Sequence, residues 1–188
     1  MDVDGSVSKS ALVAVGLWDD YTVRLMSIAQ GMEDLDVIDL STIETEETEE
    51  PTSPSRGNRN NMMARSLCLV TLDFSSTGTH GGKQSSQGVD MLFVGLGDGT
   101  LNSFAVVNRN GVVSCQSKKE VCFGTQRINL VPLHTEQGGS CVLATGDRPT
   151  VIYLAGVGGT SGEQFNPKLC YSSVNVEVND EEETYDIV

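Results

Sequence analysis

The sequence predicts an all-β fold, a fragment of a β-propeller with about three four-stranded blades, a disordered acidic insertion and an acidic C-terminal tail. Two observations lead to this fold class. No segment keeps a helical period over three turns, and one hairpin pattern occurs three times in the chain. In each copy an aspartate follows an apolar strand and a small residue, and a second strand begins after it. The three aspartates are Asp19, Asp98 and Asp147.

The clearest copy occupies residues 90–107, where two apolar runs flank the turn sequence Gly-Asp-Gly. Glycine adopts the positive φ that a tight turn requires, so this stretch predicts two adjacent antiparallel strands. In the third copy Pro149 lies inside the turn, where its missing N–H interrupts no ladder of hydrogen bonds. We therefore expect Asp19, Asp98, Gly99, Asp147 and Pro149 to form the turns of successive blades.

The separation of the copies along the chain predicts the length of the repeat. Asp98 and Asp147 are 49 residues apart, whereas Asp19 and Asp98 are 79 residues apart. The excess of 30 residues matches the length of an acidic stretch at residues 33–62. Without that stretch the period is again 49 residues, which is typical of a propeller blade with about four short strands.

The predicted strands follow one another with polar turns between them. Alternating side chains at residues 22–27 indicate a half-buried strand, and an Asn-Gly pair closes a turn at residues 110–111. A polar stretch at residues 116–119 separates two short strands. In chain order we expect strands at residues 11–17, 21–28, 63–74, 90–96, 100–107, 112–115, 120–123, 128–133, 141–145, 150–155 and 168–178.

Composition divides the chain into one folded unit and several disordered segments. Residues 11–178 are expected to form the partial propeller, interrupted by a disordered insertion at residues 31–62 and a Gly/Ser-rich loop at residues 75–88. Residues 1–10 form a disordered N-terminus and residues 179–188 an acidic tail. These segments contain too little apolar surface to fold by themselves.

The net charge of −14 comes from two acidic runs. Nine acidic residues and no basic residue lie between Glu33 and Glu50, and six more lie between Glu177 and the end. Together they hold 15 of the 26 carboxylates, which leaves 11 acids against 12 Lys and Arg elsewhere. Solvated acidic segments explain this pattern, with an acidic arm for a basic partner as the alternative. The cations are scattered and do not interleave with aromatic residues, which argues against direct DNA or RNA binding.

Export and membrane signals are missing from the sequence. No apolar run approaches the roughly 20 residues of a membrane span, and the first residues lack the basic and apolar regions of a signal peptide. The five cysteines are irregularly spaced in apolar, strand-like contexts. Small buried thiols in a reducing compartment fit this usage better than a disulfide framework. We therefore expect an intracellular protein.

The sequence motifs of common enzymes are also missing. Neither His80 nor His134 has cysteine or carboxylate neighbours at metal-ligand spacing, so zinc is disfavoured. No Gly-x-Ser-x-Gly elbow supports a serine hydrolase. The glycines at residues 95–99 are similar to a phosphate-binding loop, but a strand rather than a helix follows them. We expect no enzymatic activity, no metal and no cofactor.

The turn aspartates and the single tryptophan are the remaining candidate site residues. Three carboxylates at repeat spacing would suit catalysis or calcium binding if they converged, but equivalent turns of successive blades lie apart along one rim. We expect Asp19, Asp98 and Asp147 each to cap its own turn through side-chain to backbone hydrogen bonds. Trp18 at a hairpin tip either packs within the blade or, if exposed, contacts a partner protein.

Several short stretches, taken in order, resemble one family. They are Val-Gly-Leu-Trp at residues 15–18, Leu-Gly-Asp-Gly-Thr-Leu at 96–101, Lys-Lys-Glu-Val at 118–121, Gly-Thr-Gln at 124–126, Asp-Arg-Pro-Thr-Val-Ile-Tyr at 147–153 and Ser-Ser-Val-Asn-Val at 172–176. The family comprises the large subunits of the UV-damaged DNA-binding complex, of the cleavage-and-polyadenylation factor and of a U2-associated splicing factor. The resemblance covers most of residues 11–30 and 63–178, and it is to the middle propeller. The stretches at 96–101 and 147–153 favour the damage-binding branch.

The resemblance implies a non-enzymatic scaffold in the nucleus and cytoplasm. Members of the damage-binding branch join a cullin-based ubiquitin ligase to substrate receptors, with the middle propeller docking the cullin and the flanking propellers binding the receptor. From this resemblance we expect the chain to begin late in the middle propeller and to lack both flanking propellers, and the acidic insertion is a further departure from the family pattern. A cullin and substrate receptors are thus the implied partners, and no contact residue is matched individually.

Two other functions are compatible with the sequence. An RNA-processing scaffold would fit the other branches of the family, and a truncated, non-functional propeller fragment would fit the number of blades. Since propellers close with about four to eight blades, we expect the 188 residues to be part of a larger propeller or a truncated gene product with exposed sheet faces and edges.

Overall fold

The computed structural model describes residues 12–29, 31–41, 63–74, 87–134, 139–157 and 166–174. Within these ranges the chain forms eleven β-strands and no helix, which confirms the predicted all-β class. It follows that no described segment is a helix capable of spanning a membrane. The strands are β1 (Leu12–Leu17), β2 (Thr22–Ser27), β3 (Glu33–Asp39), β4 (Ala64–Phe74), β5 (Gln87–Leu96), β6 (Thr100–Arg109), β7 (Val112–Cys122), β8 (Asn129–His134), β9 (Ser140–Thr145), β10 (Thr150–Val157) and β11 (Asn166–Ser173).

The strands form three antiparallel sheets in chain order. Sheet 1 contains β1 to β3, sheet 2 contains β4 to β7 and sheet 3 contains β8 to β11, and every strand pairs with its neighbour in the sequence. This meander is the arrangement of propeller blades, so the predicted fragment of about three blades is confirmed. The three hairpin copies are β1–β2, β5–β6 and β9–β10. The described part of sheet 1 therefore corresponds to the second, third and fourth strands of the other two sheets.

The strand β3 corrects the predicted insertion. Residues 31–62 were expected to be disordered, but Glu33–Asp39 pairs with β2 along its whole length, with a bulge between Leu25 and Met26. Ile38 of β3 packs against the apolar cluster of sheet 2, and Asp34 forms an ion pair with Arg24 at 2.7 Å. The acidic composition of this stretch predicted disorder, but the structure has a strand here, and acidic side chains of the strand have partners. Residues 42–62 of the expected insertion lie outside the described residues.

A second correction concerns residues 112–123, where two short strands around a polar stretch were expected. The structure has one continuous strand, β7, paired with β6. The register shifts between Ser103 and Ala105, and Ser117 opposite them has a φ of 57°. The left-handed backbone of Ser117 forms a bulge that accommodates one extra residue in β7. The polar residues on either side of the bulge therefore remain paired with β6.

The predicted Gly/Ser loop at residues 75–88 is also shorter at its end, because Gln87 and Gly88 already belong to β5 and pair with β4. Residues 75–86 lie outside the described part of the chain. The same holds for the expected disordered N-terminus at residues 1–10 and the expected acidic tail at residues 179–188.

Sheet 2 lies between the other two sheets and buries both of its faces. One apolar cluster joins it to sheet 1 and includes Leu92 and Val94 of β5. The other joins it to sheet 3 and includes Phe93 of β5 and Leu101 of β6. All four side chains are fully buried, and each such burial contributes about 1.5–3 kcal/mol. The continuous apolar run of the central hairpin thus has a structural cause, since both sides of β5 face a neighbouring sheet.

Close backbone contacts fix how sheet 3 follows sheet 2. A Cβ atom on Gly95 would lie 2.9 Å from the carbonyl oxygen of Ile128, so the chain that enters sheet 3 passes directly over this glycine. Gly99 has a φ of 87° and lies against the backbone of Gly124. Glycine is therefore required at Gly99 both by the turn conformation and by the neighbouring chain.

Candidate interaction surface

The hairpin turns lie at one end of the sheets, on a surface that we call the turn rim. It consists of the turns at residues 18–20, 97–99 and 146–148, the start of β4 at residues 63–65 and the connection at residues 123–127. Ala64 pairs with Leu96 at the end of sheet 2, and its carbonyl accepts a hydrogen bond from the Trp18 indole at 3.2 Å. The first and second turns are therefore neighbours.

The third turn adjoins the second through the connection between sheets 2 and 3. Gly124 of this connection lies against Gly99, and the next residue, Thr125, donates its backbone N–H to Asp147 of the third turn at 2.7 Å. The turn rim is thus one continuous surface, in which the equivalent turns lie side by side as the repeat predicts.

Trp18 is both tethered and exposed. Its Nε1–H donates to the Ala64 carbonyl, and the Arg65 guanidinium lies 5.4 Å from the centre of its ring. Even so, 58% of the residue is exposed to solvent. A fixed aromatic ring with a large free surface is the kind of group that dominates protein interfaces. The indole therefore joins two blades and also presents an open surface.

In the first turn the capping bonds belong to Asp20 rather than to the predicted Asp19. The Asp20 carboxylate accepts hydrogen bonds from the Thr22 backbone N–H at 3.1 Å and from the Thr22 hydroxyl at 2.7 Å. The hydroxyl bond is the main reason that the pKa of Asp20 is lowered. Asp19 is exposed beside it. Two adjacent aspartates made the position ambiguous by one residue in the sequence.

An Asp-x-Ser/Thr spacing is the signal that would have identified the capping residue. Asp98 has this spacing to Thr100, and its carboxylate accepts a hydrogen bond from the Thr100 N–H at 2.9 Å. Asp39 follows it at the end of β3, with bonds from the Ser41 backbone at 2.8 Å and hydroxyl at 2.6 Å. Asp39 is a capping residue outside the three predicted turns.

Asp147 has a different role from the one predicted. It was expected to cap its own turn, but its Oδ2 atom accepts hydrogen bonds from the backbone N–H groups of Thr125 at 2.7 Å and Gln126 at 3.2 Å. These bonds, with the Thr125 backbone as the largest cause, lower the pKa of Asp147. The side chain therefore joins the third hairpin to the connection between sheets 2 and 3. Pro149 contributes its carbonyl, which accepts the Val174 N–H at 2.8 Å.

The turn aspartates do not converge on a common point, since each binds its own set of backbone groups. Among the residues that the structure describes, no group of three or more His, Cys, Asp and Glu side chains could hold a metal ion. The arrangement thus supports structural roles for these carboxylates.

A Ser-His-Asp trio occurs away from the turn rim. His134 Nδ1 lies 3.2 Å from the Ser140 hydroxyl, and that hydroxyl lies 3.4 Å from an Asp73 carboxylate oxygen. A hydrolytic triad needs the carboxylate on the far side of the histidine, where it orients the ring. Here the serine lies between the two other groups, which is the geometry of a polar contact between sheets 2 and 3. His80 lies outside the described residues.

The cysteines are free thiols. Burial raises the pKa of Cys68 to about 11, and burial together with the nearby Asp36 carboxylate raises the pKa of Cys115 to about 12. Thiols with such pKa values carry almost no thiolate near neutral pH and are poor nucleophiles. These two cysteines serve as packing residues.

Comparison with known proteins places this architecture in one family. The family model described as the RSE1/DDB1/CPSF1 second beta-propeller matches residues 3–179. Similar curated proteins include DNA damage-binding protein 1 of Oryza sativa subsp. japonica, which is 33% identical over 171 residues. DNA damage-binding protein 1 of Drosophila melanogaster is 31% identical over 178 residues, and DNA damage-binding protein 1a of Arabidopsis thaliana is 29% identical over 167 residues.

The alignments cover most of this chain but only a small part of each relative. They include 90%, 94% and 89% of the chain but only 12%, 12% and 11% of the respective relatives. The chain therefore spans about an eighth of the length of the curated relatives that it matches.

Proposed function

The chain belongs to the RSE1/DDB1/CPSF1 second beta-propeller family, and from this membership we propose that it is a non-enzymatic protein-interaction scaffold. The observation that carries the proposal is the turn rim, where Trp18 is held in place and is still 58% exposed. A rigid aromatic side chain loses little conformational freedom on binding, which makes it suited to contact a protein partner.

Within the family, we propose the damage-binding branch and an adaptor role. The curated relatives described above are named as DNA damage-binding proteins. The proposed partners are a cullin and substrate-receptor proteins of a ubiquitin ligase, and the proposed compartments are the nucleus and cytoplasm. The chain would contribute to DNA damage recognition through protein contacts, since its few cations are not arranged for direct nucleic-acid binding.

The proposal is tested by affinity purification of the tagged chain from nuclear and cytoplasmic extracts, followed by mass spectrometry. We expect a cullin and its associated receptors among the recovered proteins. Recovery of splicing or polyadenylation subunits without a cullin would support an RNA-processing scaffold instead. Recovery of no specific protein would support a non-functional fragment.

A pair of variants tests the role of the tryptophan in the same experiment. We expect Trp18→Ala to reduce recovery of the main partner at least about tenfold, because truncation of an aromatic anchor costs about 2 kcal/mol or more. Tyr153→Ala is the matched control, since this aromatic residue is also exposed but lies in sheet 3. Thermal unfolding of both variants shows whether they fold. Equal recovery with folded Trp18→Ala would exclude the indole as a contact.

A further inference from the structure

The hairpin that joins β6 to β7 ends in an exposed two-residue turn. Arg109 pairs with Val112, so Asn110 and Gly111 form the turn, with φ angles of 54° and 84°. Two positive φ values are typical of a type I′ turn. Residues 108–112 are all exposed to solvent. Because β6 starts at the turn rim, this turn lies at the opposite end of sheet 2.

Asn110 and Gly111 are the one Asn-Gly pair of the sequence. An asparagine side chain forms a ring when the backbone nitrogen of the next residue attacks its Cγ atom. A side chain on that next residue obstructs the attack, and glycine has none. A Cβ atom on Gly111 would meet no atom beyond its chain neighbours within 4 Å. The space around the attacking nitrogen is therefore open.

A hydrogen bond holds the attacking nitrogen in the folded turn. The Gly111 N–H donates to the Asn108 Oδ1 atom at 3.1 Å. The nitrogen attacks only after it has lost its proton, and an N–H that donates a hydrogen bond loses its proton less readily. The reaction therefore requires the turn to open and this bond to break. Such local opening costs little free energy at an exposed hairpin end.

Asparagines away from this turn are less suited to the same reaction. Asn102 is only 3% exposed. Asn129 is exposed, but the residue after it is Leu130, whose N–H donates to the Ser66 hydroxyl of β4 at 2.9 Å. Asn166 precedes a proline, which has no N–H. Exposure and an unobstructed nitrogen thus coincide at the β6–β7 turn.

We propose that Asn110 deamidates spontaneously in the folded chain and that Asn108 slows the reaction. The Gly111 nitrogen bonds to the Asn110 Cγ atom, its proton passes through solvent to the side-chain nitrogen, and that nitrogen leaves as ammonia. Water then opens the succinimide ring at either carbonyl, which gives an aspartyl or an isoaspartyl linkage. Water is the only co-reactant, and no oxidant or reductant is needed. The inference goes beyond the proposed scaffold role and does not depend on it.

The reaction changes both the charge and the main chain of the hairpin. Either product has a carboxylate where the neutral amide was, so the turn gains a negative charge. In the isoaspartyl product the main chain also runs through the former side-chain methylene group. The longer turn no longer matches the register of the ladder, in which Asn108 pairs with Val113 and Arg109 pairs with Val112. The end of the ladder must then shift or open.

The test incubates the full 188-residue chain in its folded state near neutral pH and digests samples with trypsin over time. Trypsin cuts after Arg109 and Lys118, so the peptide 110–118 contains Asn110 as its single asparagine. Mass spectrometry follows the conversion of its amide to a carboxylate. The tryptic peptide that begins at Ile128 reports Asn129 in the same samples. We expect progressive conversion of Asn110 and no conversion of Asn129 over the same period.

Two variants of Asn108 test its role in the rate. Asn108→Ala removes the acceptor of the Gly111 N–H, and we expect Asn110 to convert about two- to tenfold faster, which is the usual weight of one hydrogen bond. Asn108→Asp is the matched control, because it keeps an oxygen acceptor at the same position. We expect it to convert no faster than the wild-type chain. Urea unfolding shows that both variants are folded.

Two results would overturn the deamidation site itself. One is equal conversion of Asn110 and Asn129 in the folded chain. The other is conversion of Asn110 in urea but not in the folded chain, which would mean that the turn protects the site. Conversion of Asn108→Ala at the wild-type rate would refute the role of Asn108. Equally fast conversion of Asn108→Ala and Asn108→Asp would refute it too, because the acceptor would then not set the rate.

Discussion

At the scale of single residues, the turn carboxylates act as connectors between backbone segments. Asp98 binds within its own turn, whereas Asp147 binds the chain that links sheets 2 and 3. Two aspartates in similar sequence contexts therefore have different structural roles. The difference arises because the N–H groups of Thr125 and Gln126, in the connection at residues 123–127, donate to Asp147, whereas Asp98 accepts the N–H of Thr100 in its own hairpin.

The lowered pKa of Asp147 gives a prediction about pH. Because its folded pKa lies below the ordinary value of 3.8, the ionised side chain stabilises the folded protein above that value, and this stabilisation is lost as the pH falls through the lowered pKa. We expect Asp147→Asn to unfold at lower urea concentration than the wild-type chain at pH 7, and the difference to shrink below about pH 4. The measurement is urea unfolding at a series of pH values.

Asp19→Asn is the matched control for this experiment. Asp19 is exposed at the first turn, and the bonds that cap that turn belong to Asp20. We expect Asp19→Asn to change the stability of the protein little at any of these pH values. A difference between Asp147→Asn and wild type that stayed constant down to pH 2 would contradict the assigned role of the carboxylate.

At the scale of secondary-structure elements, the contacts of β3 help to hold sheet 1 against sheet 2. Its Asp36 carboxylate accepts a hydrogen bond from the Cys115 backbone N–H of β7 at 2.6 Å, and Ile38 packs on the apolar cluster between these sheets. Both side chains point toward sheet 2, whereas Val37 points away and is 48% exposed. The strand is therefore part of the folded unit.

We expect Ile38→Ala to destabilise the protein by about 1–2 kcal/mol, because fully buried Ile→Ala changes cost about 2–5 kcal/mol and Ile38 is half-buried. Val37→Ala, on the exposed face of the same strand, should change stability by less than about 0.5 kcal/mol. Chemical unfolding measures both variants. Equal small effects would mean that β3 is not packed against sheet 2.

Some strands could be predicted from the local sequence, and others could not. The hairpins β1–β2, β5–β6 and β9–β10 were predicted because a tight turn imposes a local signal of Gly, Asp and flanking apolar residues. The strand β3 was missed because its stability comes from distant partners such as Arg24 and Cys115, which a local composition does not show. The continuity of β7 was missed for a related reason, since the bulge at Ser117 depends on pairing with β6.

The candidate site was predicted less completely than the fold. The position of Trp18 at a hairpin tip was evident from the sequence, but its tether to Ala64 joins residues that are 46 positions apart. The role of Asp147 depends on Thr125, which lies 22 positions away.

At the scale of the whole molecule, the outer faces of sheets 1 and 3 carry exposed apolar side chains. Val37 lies on one outer face, and Val131, Leu133 and Tyr153 lie on the other, with 38–48% of each residue exposed. Neighbouring blades cover such faces in a closed propeller. The described sheets thus present two surfaces that are suited to further packing.

We expect the isolated 188-residue chain to bind a hydrophobic dye and to associate with itself as its concentration rises, because exposed apolar patches promote association. Sedimentation velocity over a range of concentrations measures the association. A monodisperse monomer that unfolds cooperatively and binds no dye would show that these faces need no further blades.

We proposed that the chain is a non-enzymatic scaffold of the damage-binding branch, and direct binding to a purified cullin tests this proposal most closely. The chain and the cullin would be mixed and analysed by size-exclusion chromatography with light scattering, with the Trp18→Ala variant in parallel. We predict a complex with the wild-type chain and much less complex with the variant. Absence of any complex with the cullin, together with stable binding to purified splicing or polyadenylation subunits, would contradict the claim.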